Sequence, residues 1–174
     1  MSSISRRELM THIRLVPASV ASLEAFLRHP NELSAMIDSP VPDGWPEFPE
    51  AIPHTLSVLK RDPAHSEWWM YFFIEERSRQ LVGSGGFAGP PEDGVVEIGY
   101  EIAPVFRRLG HATAATEALV QLAVRTGVVD EVIAHTLPVD EGSPGVLRAA
   151  GFQRSEVIHD PEHGEIIRWR RKLL

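Results

Sequence analysis

Pro104 separates two incompatible periodicities, and this junction limits the fold more than any other feature of the chain. Upstream, Val95 to Ala103 alternates as a strand does. Downstream, residues 110–126 put Ala112, Ala115, Leu119, Leu122 and Ala123 on one helical face, with Gly127 as the stop. Pro104 ends the strand because it has no N–H to give to a ladder. Between them lies Arg107-Arg108-Leu109-Gly110-His111-Ala112. The first turn of a helix leaves backbone N–H groups unpaired at the positive end of its dipole. Gly110 and Ala112 let an anion approach that backbone closely, and Arg107 and Arg108 add positive charge. The spacing alone fits either a diphosphate site or a plain helix start with two solvated arginines.

The remaining elements are expected in mixed order. Residues 11–17 read as a first strand through Ile13 and Leu15. Residues 19–28 read as a helix through Val20, Leu23, Phe26 and Leu27. Asn31 is expected to cap a short second helix carrying Leu33, Met36 and Ile37. Five prolines between residues 38 and 53 deny regular structure until about Ile52, after which a third helix can run. Strands follow at Trp69–Ile74, Leu81–Phe87 and Val95–Ala103. After the central helix come a strand from Glu131 to Leu137 and a short helix over 143–150 ended by Gly151. A hairpin, Phe152–Ile158 with Glu165–Arg171, turns at Asp160-Pro161-Glu162-His163-Gly164. This order predicts an α/β sandwich around a mixed sheet.

Composition narrows the function classes. The 174 residues suit one domain, with 43% hydrophobic and 24% charged residues. A formal net charge of −7 and a pI near 5.6 disfavour a general nucleic-acid binder. No apolar run approaches the ~20 residues that span a bilayer, and the first ten residues carry no apolar signal-peptide segment. The absence of cysteine removes disulfides, thiolate nucleophiles and cysteine metal sites. The expectation is a cytoplasmic protein working without nucleic acid, membrane or metal.

Strand, proline, Arg107-x-x-Gly110-x-Ala112 and helix together resemble the signature with which GNAT N-acetyltransferases hold the pyrophosphate of acetyl-coenzyme A. Residues 98–104 before it (IGYEIAP), ATAATEAL after it and AHTLPVDEGSPGVLRAAGF at 134–152 are similar to the RimJ/RimL-like branch, the ribosomal-protein N-terminal acetyltransferase type. The resemblance implies a GNAT fold: a mixed, mostly antiparallel sheet of about seven strands, splayed at the cofactor site and flanked by about four helices. Its expected cofactor contacts are Tyr100, Ile102, Arg107, Arg108, Leu109, Gly110, His111, Ala112 and Thr113. Acetyl-CoA would be the co-substrate, and the acceptor a small-molecule amine or a protein N-terminus. Direct attack on a thioester is helped by a base. Glu97 and Glu101 share a face of the cofactor strand if it is regular, and Glu97 is the favoured one. Relatives often carry an aromatic residue where Glu101 stands, which argues for a pocket role. Leu147 replaces a common tyrosine acid. Ser143 matches the proposed serine acid of the Rim-type branch and is also expected to cap the helix at 144–150, with Asp140 replacing the usual asparagine.

Other features weigh less. Gly83-Ser84-Gly85-Gly86 precedes Pro90-Pro91 rather than a helix, so no dinucleotide fingerprint exists, and a bulge or a close backbone is expected there. His159 and His163 flank Pro161 in a turn, which denies them the shared helical face of a metal pair. Trp45 and Phe48 in the proline-rich stretch would either line the acceptor channel or fold inward as anchors. His135, on the second cofactor strand, would face substrate or cofactor, or pack. The arginines of the C-terminal strand are expected on a wet sheet face. A non-catalytic acyl-CoA sensor and a homodimer subunit are the alternatives.

Overall fold

In a computed structural model, residues 10–173 are described; the N-terminal stretch expected to carry no signal segment lies largely outside them. The chain runs β1 (Ile13–Pro17), α1 (Val20–Arg28), α2 (Pro30–Ile37), α3 (Ala51–Arg61), β2 (Met70–Glu75), β3 (Gln80–Phe87), β4 (Val95–Ile102), α4 (His111–Thr126), β5 (Glu131–Thr136), α5 (Ser143–Ala149), β6 (Gln153–Asp160) and β7 (Gly164–Lys172). Short 3-10 turns cover Pro63–Trp68 and Pro104–Phe106. The described residues thus hold five α-helices where about four were expected. None of these helices is long and apolar enough to cross a membrane.

One seven-stranded sheet carries the order β1-β2-β3-β4-β5-β7-β6. Every neighbouring pair is antiparallel except β4 with β5. Two apolar clusters clamp the sheet. On one face, Leu119, Val120 and Ala123 of α4 and Leu147 of α5 pack on Phe73, Val82, Ile98, Val132 and Trp169. On the other, Leu23, Leu33, Ile52 and Leu59 of α1–α3 pack on Phe72, Ile74 and Leu81. Each fully buried side chain of this size contributes about 1.5–3 kcal/mol, so the sheet is held rigidly where its strands carry chemistry.

Several local expectations need correcting. His29, not Asn31, caps α2: its Nδ1 accepts from the Asn31 N–H at 3.1 Å, and Pro30 takes the first helical position. Ser143 makes no side-chain cap to α5. Asp140 does that work, its Oδ1 accepting from the Gly142 and Ser143 N–H groups at 2.9 and 3.0 Å. Gly85 and Gly86 answer to neighbouring backbone rather than to a ligand, since a Cβ would fall 2.3 Å from the Gly99 oxygen and 1.8 Å from the Trp69 oxygen. The C-terminal arginines are paired rather than merely wet: Arg170 with Glu131, Arg171 with Glu117 and the Ala150 carbonyl, Arg168 with Glu156. At the last hairpin Asp160 accepts from the Glu162 and His163 N–H groups and meets the His163 ring, so these residues build the turn itself.

Candidate active site

The sheet opens in the middle. β4 and β5 pair only as Val95↔Glu131, Val96↔Val132 and Glu97↔Ile133, and beyond Glu97 they diverge. Which backbone groups face the fork follows from the ladder on the other side of β4. The Ala103 N–H donates to Val82 and the Glu97 carbonyl accepts from Ala88, so odd residues of β4 bond to β3. The even residues Ile98, Tyr100 and Ile102 therefore turn their backbone groups toward β5. The Ile102 carbonyl is taken by Arg107 Nε at 3.0 Å. The Tyr100 and Ile102 N–H groups are left pointing into the opening.

The loop after the strand is shaped as an anion cradle. Arg107 is extended, Arg108 adopts φ 60° and Gly110 adopts φ 83°, a left-handed conformation that glycine takes without strain. Gly110 caps α4 without a side-chain bond, and the first intrahelical bond near it is Ala114 N–H to the Gly110 carbonyl. The N–H groups of His111, Ala112 and Thr113 thus end the helix toward the cleft. The nearest atom to a Cβ built on Gly110 is 3.9 Å away, so the space beside it is open. His111 turns its ring inward, edge-on to Phe106 at 6.0 Å, and its buried Nδ1 has no hydrogen-bond partner among the described residues. Burial holds its pKa below the ordinary histidine value, with Glu75 opposing. Leu109 is exposed.

A cleft of about 840 Å3 joins this loop to the fork, bounded by Tyr100, Ile102, Arg107, Gly110, Ser143 and Phe48 among others. The Tyr100 hydroxyl is buried and finds no hydrogen-bond partner in good geometry among the described residues. Desolvation pushes its pKa up, although the neighbouring Ser143 and Thr116 hydroxyls act the other way. The phenol therefore stays neutral beside Ser143.

The two glutamates share the odd face of β4 but not their surroundings. Glu101 is roofed by the proline-rich loop, with Oε1 accepting from the Glu47 N–H at 3.1 Å and Oε2 from the Phe48 N–H at 3.3 Å. Burial nevertheless pushes its carboxyl above the usual carboxylate range. Glu47 in turn pairs with Arg107 at 2.7 Å. Glu97, at the crotch of the fork, meets His135 Nδ1 through Oε1 at 2.8 Å, and no described residue bonds its other oxygen. His135 Nε2 accepts from Arg168 Nε at 3.1 Å. Glu97 also borders a second cavity of about 210 Å3, walled by Thr55, Trp69, Met70, Phe87 and Gly99. A Cβ on Gly99 would meet nothing within 4 Å.

The structure thus gathers Arg107, Arg108, Gly110, His111, Ala112 and Thr113 of the cofactor loop with Tyr100, Glu101, Ile102 and Ser143 around one cleft, whereas Glu97 borders the second cavity and Leu109 is exposed outside the cleft lining. It does not bring Trp45 to the cleft. Trp45 is 5% exposed, donates its indole N–H to Ser84 at 2.9 Å, and packs edge-on against Phe26 and Phe72. The inward-anchor alternative is the one observed, because the indole finds both apolar contacts and a hydrogen bond only in the core. Phe48 stays exposed at the cleft rim. His135 has both ring nitrogens committed to protein groups. Sequence reasoning missed Arg168, Gly99 and the Glu47–Arg107 pair.

Comparison with known proteins agrees with this geometry. A family model described as an acetyltransferase (GNAT) domain matches residues 12–153. The uncharacterized N-acetyltransferase YjdG of Bacillus subtilis (strain 168) is 25% identical over 143 residues, covering 80% of this chain and 85% of that protein. Among solved structures, the microcin C7 self immunity acetyltransferase MccE, in complex with acetyl-CoA and AMP, superposes with a TM-score of 0.67 at 18% identity, covering 95% of each chain. RimL, a ribosomal L7/L12 alpha-N-protein acetyltransferase in complex with coenzyme A, gives a TM-score of 0.66 at 16% identity, covering 95% of this chain and 96% of that one.

Proposed function

The chain belongs to the GNAT acetyltransferase family, and from that premise we propose how its own residues move an acetyl group from acetyl-CoA to a primary amine. The observation that carries the reading is the end of strand pairing at Glu97↔Ile133, after which Tyr100 and Ile102 of β4 line a cleft shared with the start of α4. The cradle of His111, Ala112 and Thr113 N–H groups, with Arg108 beside it, suits a diphosphate. The Ile102 N–H in the fork suits an amide of the pantetheine arm, and the Tyr100 N–H suits the acyl oxygen, where a fixed donor helps most as charge develops. Acetyl-CoA supplies the activated thioester carbonyl.

The acceptor amine enters from the opposite face, through the cavity bordered by Trp69, Phe87, Glu97 and Gly99. The free oxygen of Glu97 takes the proton that the amine sheds as its nitrogen bonds the acetyl carbon. Ser143 stands on the cofactor side, where its hydroxyl passes a proton to sulfur as the carbon–sulfur bond breaks and takes one back from solvent in the cleft. Glu101 lines the cofactor cleft, and its two oxygens accept the Glu47 and Phe48 N–H groups, so its role in this reading is to hold the loop over the cleft while Glu97 takes the proton. Candidate acceptors are small-molecule amines and protein N-termini. The apolar walls of the cavity suit an amine carried on a compact apolar group.

Gly110→Glu tests the cofactor assignment. A carboxylate placed in the cradle abolishes acetyl-CoA binding by calorimetry, and retained binding would overturn the site. With the unaltered protein, a panel of amines releases free thiol in an amine-dependent way. Tight acetyl-CoA binding without such release across the panel would instead favour a non-catalytic sensor.

A further inference from the structure

Four charged or polar side chains cross the open sheet face from β4 to β6. Glu97 Oε1 meets His135 Nδ1 at 2.8 Å, Arg168 Nε donates to His135 Nε2 at 3.1 Å, and Arg168 Nη1 reaches Glu156 at 3.0 Å. Glu131 and Arg170 pair on the same face. The direction of the middle bond is fixed by chemistry. An arginine side chain has only donors and does not lose its proton in proteins. His135 Nε2 must therefore present its lone pair to Arg168. The proton of the neutral ring is then on Nδ1, and it is donated to Glu97.

We infer that His135 is a positioning residue, held by Arg168 as the neutral Nδ1–H tautomer, and that it aims the Glu97 carboxylate at the acceptor instead of taking the proton itself. The inference depends on reading Glu97 as the base. With Nε2 capped by a cation and Nδ1 already protonated, the ring has no site left for a proton from the amine. What it can do is tie up one carboxylate oxygen and fix the plane of the other. The bond also spans the point where β4 and β5 part, since His135 lies beyond the last paired residue of β5. Glu156 completes the chain by holding the guanidinium in place.

Two measurements test this. Long-range proton–nitrogen NMR on the 15N-labelled protein at neutral pH shows a His135 ring protonated at Nδ1 and bare at Nε2; an Nε2–H tautomer or an imidazolium overturns the inference. Removing the cap with Arg168→Met allows the other tautomer to appear in the same spectrum. In steady-state assays, His135→Leu loses about a hundredfold in kcat, the scale of a misplaced catalytic group, while acetyl-CoA affinity is kept. His135→Asn restores most of that loss, because its amide N–H replaces the Nδ1 donor and cannot serve as a base. If Asn is as damaging as Leu while Glu97→Gln is inactive, the positioning role fails and the base assignment stands. If Glu97→Gln retains full kcat, the base assignment fails and takes the positioning role with it.

Discussion

Glu97 and Glu101 leave the same face of one strand, four residues apart, and the fold puts them to opposite uses. Glu101 meets a loop whose two successive N–H groups, those of Glu47 and Phe48, need acceptors, and its carboxylate closes that account with one oxygen each. Glu97 meets a fork where strand pairing has just ended, so one of its oxygens stays available. Residue type and strand parity are identical. What differs is whether neighbouring backbone has hydrogen bonds left to satisfy, and that difference is the ground on which the proposed base role goes to Glu97.

The largest effect expected from this contrast is a crossed pair of variants. Glu97→Gln removes the base and lowers kcat by about 10²–10⁴-fold, the usual worth of a positioned general base, with little change in unfolding midpoint. Glu101→Gln presents an NH2 to one of two N–H donors. It leaves that donor unpaired, costs about 1 kcal/mol in urea unfolding and leaves kcat within about tenfold. A Glu101→Gln variant as inactive as Glu97→Gln would erase the distinction.

How much of this contrast could be read from the sequence depends on how local its cause is. Pro104, Gly110 and the helix that follows are legible because each constraint acts within a few residues: a missing N–H, a left-handed turn, an apolar stripe. Parity on β4 was legible for the same reason, and it put both glutamates on one face. The loop that closes over Glu101 is separated from it by 54 and 53 positions, and prolines give no period from which its docking could be read. Trp45 was ambiguous on identical grounds, since its partner Ser84 is 39 positions away. Arg168 meets His135 across strand register, which sequence alternation does not encode. The cap on α5 was missed despite a local signal: Asp140, two and three residues before the N–H groups it accepts, forms an Asx turn that competes with Ser143 for the same role.

A weaker but cleaner effect separates the chemistry of the Glu97 end from its shape. Gly99 lies between the two glutamates, on a strand, with open space where a side chain would be. Nothing in the fold requires glycine there, and a β-branched residue suits a strand better. Gly99→Val keeps or raises the unfolding midpoint and leaves acetyl-CoA affinity unchanged. It raises acceptor KM by about tenfold, equivalent to ~1.4 kcal/mol of lost binding. An unchanged KM would mean that the amine does not pass over Gly99.

The smallest effect belongs to the closed end, and its sign distinguishes two buried groups there. His111 titrates near 6.5 when unfolded, and burial against Phe106 lowers that value in the folded protein. Below about 6.5 the unfolded chain binds a proton that the folded chain refuses. Stability therefore falls as pH drops through the interval beneath the unfolded value and levels off under the folded one. Glu101 acts in the opposite sense. Its folded pKa lies above the ordinary 4.5, so the folded state binds the extra proton and gains stability as pH falls through that raised value. Urea midpoints measured from pH 7.5 downward first decline, and His111→Phe removes the decline because the ring no longer charges. In Glu101→Gln this opposing contribution is lost, so the acid-side decline set by Glu75, Glu117 and Asp160, whose pKa values the fold lowers, becomes steeper while the His111 decline persists. Glu97→Gln leaves the His111 decline in place, and its loss in that variant would show that Glu97 and the start of α4 are electrostatically coupled.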